Sequence, residues 1–135
     1  MNTKLLMSAS AILLGAIGIS LTFFPQEISS QLHADPANMQ IIFQILGSLY
    51  FGFAMLNWMA QWSIIGGIFN RPIAIANFSH FLVGALALVK WASRNGNAGY
   101  EVWALAGCYI IFGILFGRLL STQPVSSQIE PKPLT

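Results

Sequence analysis

The chain has 135 residues, enough for one domain, and is 56% hydrophobic but only 7% charged. Ten charged side chains cannot cover the surface of a soluble domain, in which about a quarter of residues are charged; a protein dissolved in lipid needs few. A net charge of +2, dispersed along the sequence, excludes the clustered basic patch of a nucleic-acid surface, and the single Cys108 excludes an intrachain disulfide or a multi-cysteine metal site.

From Leu5 to Phe24 there is no ionisable side chain. At about 1.5 Å rise per residue this run covers roughly 30 Å, the thickness of a hydrocarbon core, and Pro25 is a plausible stop. The main competing reading is a cleaved signal peptide. The run is long for one and no small-x-small cleavage site follows Phe24, so a span of the mature protein is expected. Gln26–Asn38 carries Glu27, Ser29, Ser30, His33, Asp35 and Pro36 and reads as a polar loop.

The second span is expected over 39–60, with Trp58 and Trp62 near an interface. Gly66-Gly67 then breaks the helical pattern. The third span, 72–91, opens at Arg71-Pro72, where the missing proline N–H costs nothing in a first helical turn. A Gly- and Asn-containing loop leads to the fourth span, 101–120, which Arg118 lengthens by snorkelling. The tail 121–135 has three prolines and is expected to be disordered. The expected fold class is therefore all-α, an integral membrane four-helix bundle in one domain, 1–120.

Four spans put both termini on one side, together with Lys4, Arg71, Arg118 and Lys132; the other side holds Lys90 and Arg94. The positive-inside rule places the termini in the cytoplasm. Helix association inside lipid depends on close backbone contact. Ser8, Ala11, Gly15, Gly18 and Thr22 form a small-residue stripe on the first span, Gly47 and Ala54 lie on the second, Gly84 on the third, and Ala106, Gly113 and Gly117 on the fourth. These read as contacts within one bundle, with a homodimer through the Gly113/Gly117 face as the other option.

Polar side chains within spans must find a partner or face water. Asn70, Asn77, His80 and Gly84 fall close to one helix face, because a spacing of seven returns to within about 20°. His80 stands nine residues past Arg71, about 13–14 Å in, close to the bilayer midplane. On the antiparallel second span Tyr50 reaches a similar depth and Asn57 emerges near Arg71. Two facing stripes would bring Tyr50 to His80 and Asn57 to Arg71. The candidate ligand-binding residues are thus His80, Asn77, Tyr50, Asn57 and Arg71, able to hold the head of a lipid-soluble ligand such as a quinone, or to relay a proton. The competing readings are that His80 and Asn77 only link helices by hydrogen bonds and that Arg71 is an interfacial anchor. Gln40 and Gln44 read as interface or packing residues, Cys108 as a buried small hydrophobe, and His33 with Asp35 and Glu27 has no specific metal spacing. No metal site and no cofactor is identified. There is no nucleophile elbow, phosphate-cradling loop or buried carboxylate pair, so no catalytic residue is assigned, and span interiors without carboxylates argue against a proton-driven pump.

Asn57-Trp58-Met59-Ala60, followed by Gly66-Gly67-Ile68-Phe69-Asn70-Arg71-Pro72 and then Asn77 and His80, resembles a pattern in small bacterial membrane proteins similar to the DoxX-like group of four-helix membrane proteins. The likeness in length and span count covers most of the chain. That group includes subunits linked to quinone-dependent oxidation, and distantly similar folds bind sterol-like ligands, so the resemblance implies a site for a hydrophobic molecule. The expected role is a multi-pass binding module or accessory subunit of the bacterial cytoplasmic membrane, in contact with the lipid bilayer and with a hydrophobic small molecule, as a homo-oligomer or beside a partner membrane subunit, and without nucleic acid. The alternatives are a membrane oxidoreductase or isomerase component, or a small transporter.

Overall fold

The computed structural model describes residues 2–31, 36–62, 71–96 and 98–121. The class is all-α, as the charge-free runs imply. Five helices occur among the described residues: α1 (Thr3–Phe23), α2 (Pro25–Gln31), α3 (Pro36–Ala60), α4 (Arg71–Arg94) and α5 (Tyr100–Ser121). Four of them, α1, α3 over Met39–Ala60, α4 and α5, are long and apolar enough to cross a membrane. Their exteriors agree: Ile12, Ile45, Val83, Leu86 and Ile111 are all more than half exposed, large apolar side chains that lipid accommodates at less cost than water. The chain is a multi-pass membrane protein. Gly66-Gly67, His33, Asp35, Asn70 and the tail from Thr122, on which several sequence expectations fall, lie outside the described residues.

The described residues divide into two compact units, Met1–Ile73 and Ala74–Thr135, and each is described by itself. In the first, Asn2 caps α1, accepting from Leu5 N at 3.2 Å. The helix ends at Phe24, whose N–H donates to the Ser20 carbonyl. The polar loop expected from Gln26 is instead partly helical: α2 starts on Pro25, whose fixed φ suits a first helical position. Glu27 in its first turn complements the helix dipole, and Ser29 on it is fully buried.

α1 packs along α3 through the small-residue stripe. A Cβ on Gly18 would lie 2.8 Å from Phe51 N and 2.9 Å from the Gly47 carbonyl; only a residue without one lets the two backbones approach this closely. Further along the same face Gly15 meets Ala54. At the opposite end of the pair the contacts turn polar. Asn57 Nδ2 donates to Ser10 Oγ at 3.0 Å and Ser10 donates to the Met7 carbonyl, both side chains being fully buried. Ser8 Oγ bonds Gln61 Oε1, and Lys4 Nζ sits 3.8 Å above the Trp62 ring.

In the second unit α4 and α5 run antiparallel. Gly113 lies in ordinary contact with the backbone at Leu82, and Gly117 faces the Phe78 ring. The Ala106/Gly113 face is therefore buried within this helix pair, which is the intrachain reading of that stripe. Phe81, fully buried, is the centre of an aromatic cluster, stacked on Phe112 at 4.9 Å and on Phe116 at 5.7 Å and edge-on to Tyr109 at 5.2 Å.

Candidate functional site

The bilayer singles out α4, where Asn77 is fully buried and His80 half-buried within an apolar span. One turn beyond His80, Gly84 leaves room for a neighbour's ring. A Cβ there would fall 2.5 Å from Tyr109 Cε1 and 2.7 Å from its Cδ1. Tyr109, on α5, uses that room to reach the imidazole. Its hydroxyl is 3.5 Å from His80 Nε2, and the two rings are tilted at 45° with centroids 5.6 Å apart. The separation is longer than the roughly 2.7–3.0 Å of a well-formed hydrogen bond, and the Tyr109 side chain is almost fully buried. Phe81 packs against both rings.

Chemically the pair offers a phenolic O–H, which donates or accepts, and an imidazole that presents one donor and one acceptor when neutral. A carbonyl or hydroxyl oxygen of an apolar molecule can be held by such a pair. No carboxylate accompanies it on the described part of α4 and α5 except Glu101, in the first turn of α5.

A second feature of the same helix pair is an apolar groove of 270 Å³ lined by Phe78, Leu82 and Ala85 of α4 and by Tyr109, Gly113 and Gly117 of α5, among others. Successive helix positions are about 100° apart, so His80 and Leu82 diverge by about 160° around α4. The groove and the imidazole are on different faces, and Tyr109 contributes to both.

Of the other candidates from the sequence, Asn57 and Tyr50 belong to the first unit. Asn57 is engaged with Ser10 of α1, and Tyr50 is half-buried on α3. Arg71, the first residue of α4, is exposed. Cys108 departs from expectation: it is exposed, because it sits about 140° around α5 from Gly113, which faces α4.

Sequence reasoning missed Tyr109, Ser10 and Gln61. A signal for Tyr109 exists: it stands nine residues from Arg118, as His80 stands nine from Arg71, so depth counting on the fourth span finds it. Ser10 lies just off the small-residue stripe of α1 and gives no comparable signal. The chain matches no family model, no curated protein and no solved structure.

Proposed function

We propose that this protein is a small membrane binding module or accessory subunit that holds the polar head of a hydrophobic ligand, a quinone or similar lipid, at His80 and Tyr109. The observation that carries the reading is the imidazole facing a phenol inside apolar spans. Ionisable and polar residues are costly in lipid and concentrate where they act on something. Two groups that both donate hydrogen bonds, with Asn77 one turn away on the same helix, suit a molecule whose only polar atoms are one or two oxygens. The likeness to the DoxX-like group, with its quinone-linked members, points the same way and is proposed on the residues quoted for it. On this reading the protein resides in a bacterial cytoplasmic membrane with both termini inside, beside a partner subunit or a second copy.

Native mass spectrometry of the gently extracted protein tests the site. The wild type is expected to carry a small-molecule adduct, and His80→Gln, His80→Leu and Tyr109→Phe to lose it while remaining inserted and folded. If His80 only links helices, His80→Gln keeps the adduct, because an amide reproduces one hydrogen bond. Retention in all three variants would remove the pair from any site.

A further inference from the structure

We propose that Lys90 and Arg94, at the end of α4, form a site for the phosphate of an anionic membrane lipid. The site lies wholly in the second unit, ten residues or about 15 Å along the helix from His80, and does not rest on the His80 reading.

Side chains four apart stand side by side on one helix face, and both of these cations are exposed. Like charges so placed repel. The helix dipole offsets little of this, because it favours cations within the last turn, which holds Arg94 but not Lys90. No carboxylate offsets it either. Among the described residues neither side chain has an ion pair or a hydrogen bond. Glu101, the one carboxylate described in the second unit, is turned back over Gly99 at the start of its own helix.

The remaining described cations are placed differently. Lys4 lies over the Trp62 ring, Arg118 is already engaged, and the position one turn after Arg71 is Ile75. Lys90 and Arg94 alone among them form an uncompensated pair on one face.

A phosphodiester fits such a pair. It carries one negative charge and two unesterified oxygens, one for each cation; a guanidinium meets phosphate through parallel N–H donors and an ammonium as a point charge. The level is that of lipid headgroups. Trp91, next to Lys90, and Tyr100 and Trp103 at the start of α5 are all exposed, and Trp and Tyr at span ends settle among headgroups. The bilayer therefore supplies the phosphate at this depth. In phosphatidylcholine a tethered cation offsets the phosphate charge, so the pair favours a lipid whose net charge is negative.

The test uses full-length protein in nanodiscs containing equal phosphatidylglycerol and phosphatidylcholine with identical acyl chains, released for native mass spectrometry. The wild type is expected to retain phosphatidylglycerol preferentially. Lys90→Gln and Arg94→Gln should each lower the preference about fivefold, the attraction one basic residue exerts on anionic lipid, and the double variant should lower it by about the product of the two. Arg71→Gln, a single cation at the other end of α4, should lower it less than either. Lys90→Arg should keep most of it, which controls for folding. In phosphatidylcholine alone the double variant should be no less stable than the wild type, because it removes a repulsion. Equal retention of the two lipids by the wild type, or a preference that survives in the double variant, would overturn the proposal. So would a double variant that loses stability in phosphatidylcholine alone, since the pair would then serve a carboxylate of the protein itself.

Discussion

Tyr109 touches Gly84 with the edge of its ring and His80 with its hydroxyl, so the position of the phenol depends on a missing Cβ one turn away from the imidazole. Gly84→Ala puts a methyl inside the ring's van der Waals surface. A ring wedged between helices cannot yield as a flexible chain end would, and overpacking of this kind costs about 1–3 kcal/mol. The expected outcome is a folded but less stable protein that loses the His80-site adduct as fully as Tyr109→Phe does, read by native mass spectrometry and by resistance to denaturing detergent. An unchanged adduct in Gly84→Ala would mean that the phenol is not needed where it stands. His80 and Asn77 were legible in the sequence because lipid makes any polar side chain in a span conspicuous. Their phenolic neighbour was harder to read. Depth along a helix follows from counting residues, but helix rotation and the identity of the neighbouring helix do not. Tyr50 and Tyr109 both lie at suitable depths, and it is the packing of Gly84 that brings Tyr109 to the imidazole.

Between α1 and α3 two kinds of contact hold one helix pair. At one end the Gly18 and Gly47 backbones touch; at the other Ser10 and Asn57 share a buried hydrogen bond. The glycine contact is legible from the 3-4 spacing of small residues, whereas the polar one is not, because Ser10 stands beside that spacing and Asn57 had a competing partner in Arg71. The two contacts should differ in their sensitivity to substitution. Gly18→Leu inserts a side chain where even a Cβ would lie under 3 Å from backbone atoms, which nothing short of separating the helices relieves, so loss of the folded protein is expected. Asn57→Leu removes a hydrogen bond of a kind that averages about 0.6 kcal/mol and reaches about 1.7 in membrane proteins; a modest loss of stability is expected, and unfolding titrations in mixed detergent compare the two. α2 escaped the sequence because its seven residues hold only one large apolar side chain, Ile28, and so show no apolar period, leaving Pro25 and Glu27 in the first turn as its only helical signals. On α5 the exposed Cys108 gives a direct check of which face meets lipid. It lies eight residues past Tyr100, about 12 Å into the span, so an apolar maleimide should label it in membranes and a charged, impermeant one should not. Labelling by the charged reagent would place water at that face.

At the scale of the whole molecule the orientation rests on very few charges. On the four-span reading of the sequence, the side that would hold the termini has Lys4, Arg71, Arg118 and Lys132, and the other has Lys90 and Arg94. Orientation responds to lysine and arginine close to span ends, with the first helix usually dominant, and here Lys4 sits at the start of α1 while the residues from Ile19 through Gln31 carry no basic group. Reporter fusions at Asn97 and after Thr135 are therefore expected to read outside and inside respectively. The margin is two charges, which makes the protein a sensitive test of its own rule. Lys4→Gln together with Lys132→Gln leaves two basic residues on each side and removes the one at the first span. The double variant should insert in both orientations, with comparable signals from both reporters, while its helix content and its contacts between α1 and α3 persist, since those rest on Gly18, Gly47, Ser10 and Asn57. Lys132 is expected to contribute less than Lys4, because it is fourteen residues beyond Arg118, near the limit at which charges influence a span end; the single variant Lys132→Gln should thus stay close to wild type. A double variant that keeps the wild-type orientation would show that something other than these charges orients the chain, and a wild type with equal signals would show that it has no fixed orientation at all.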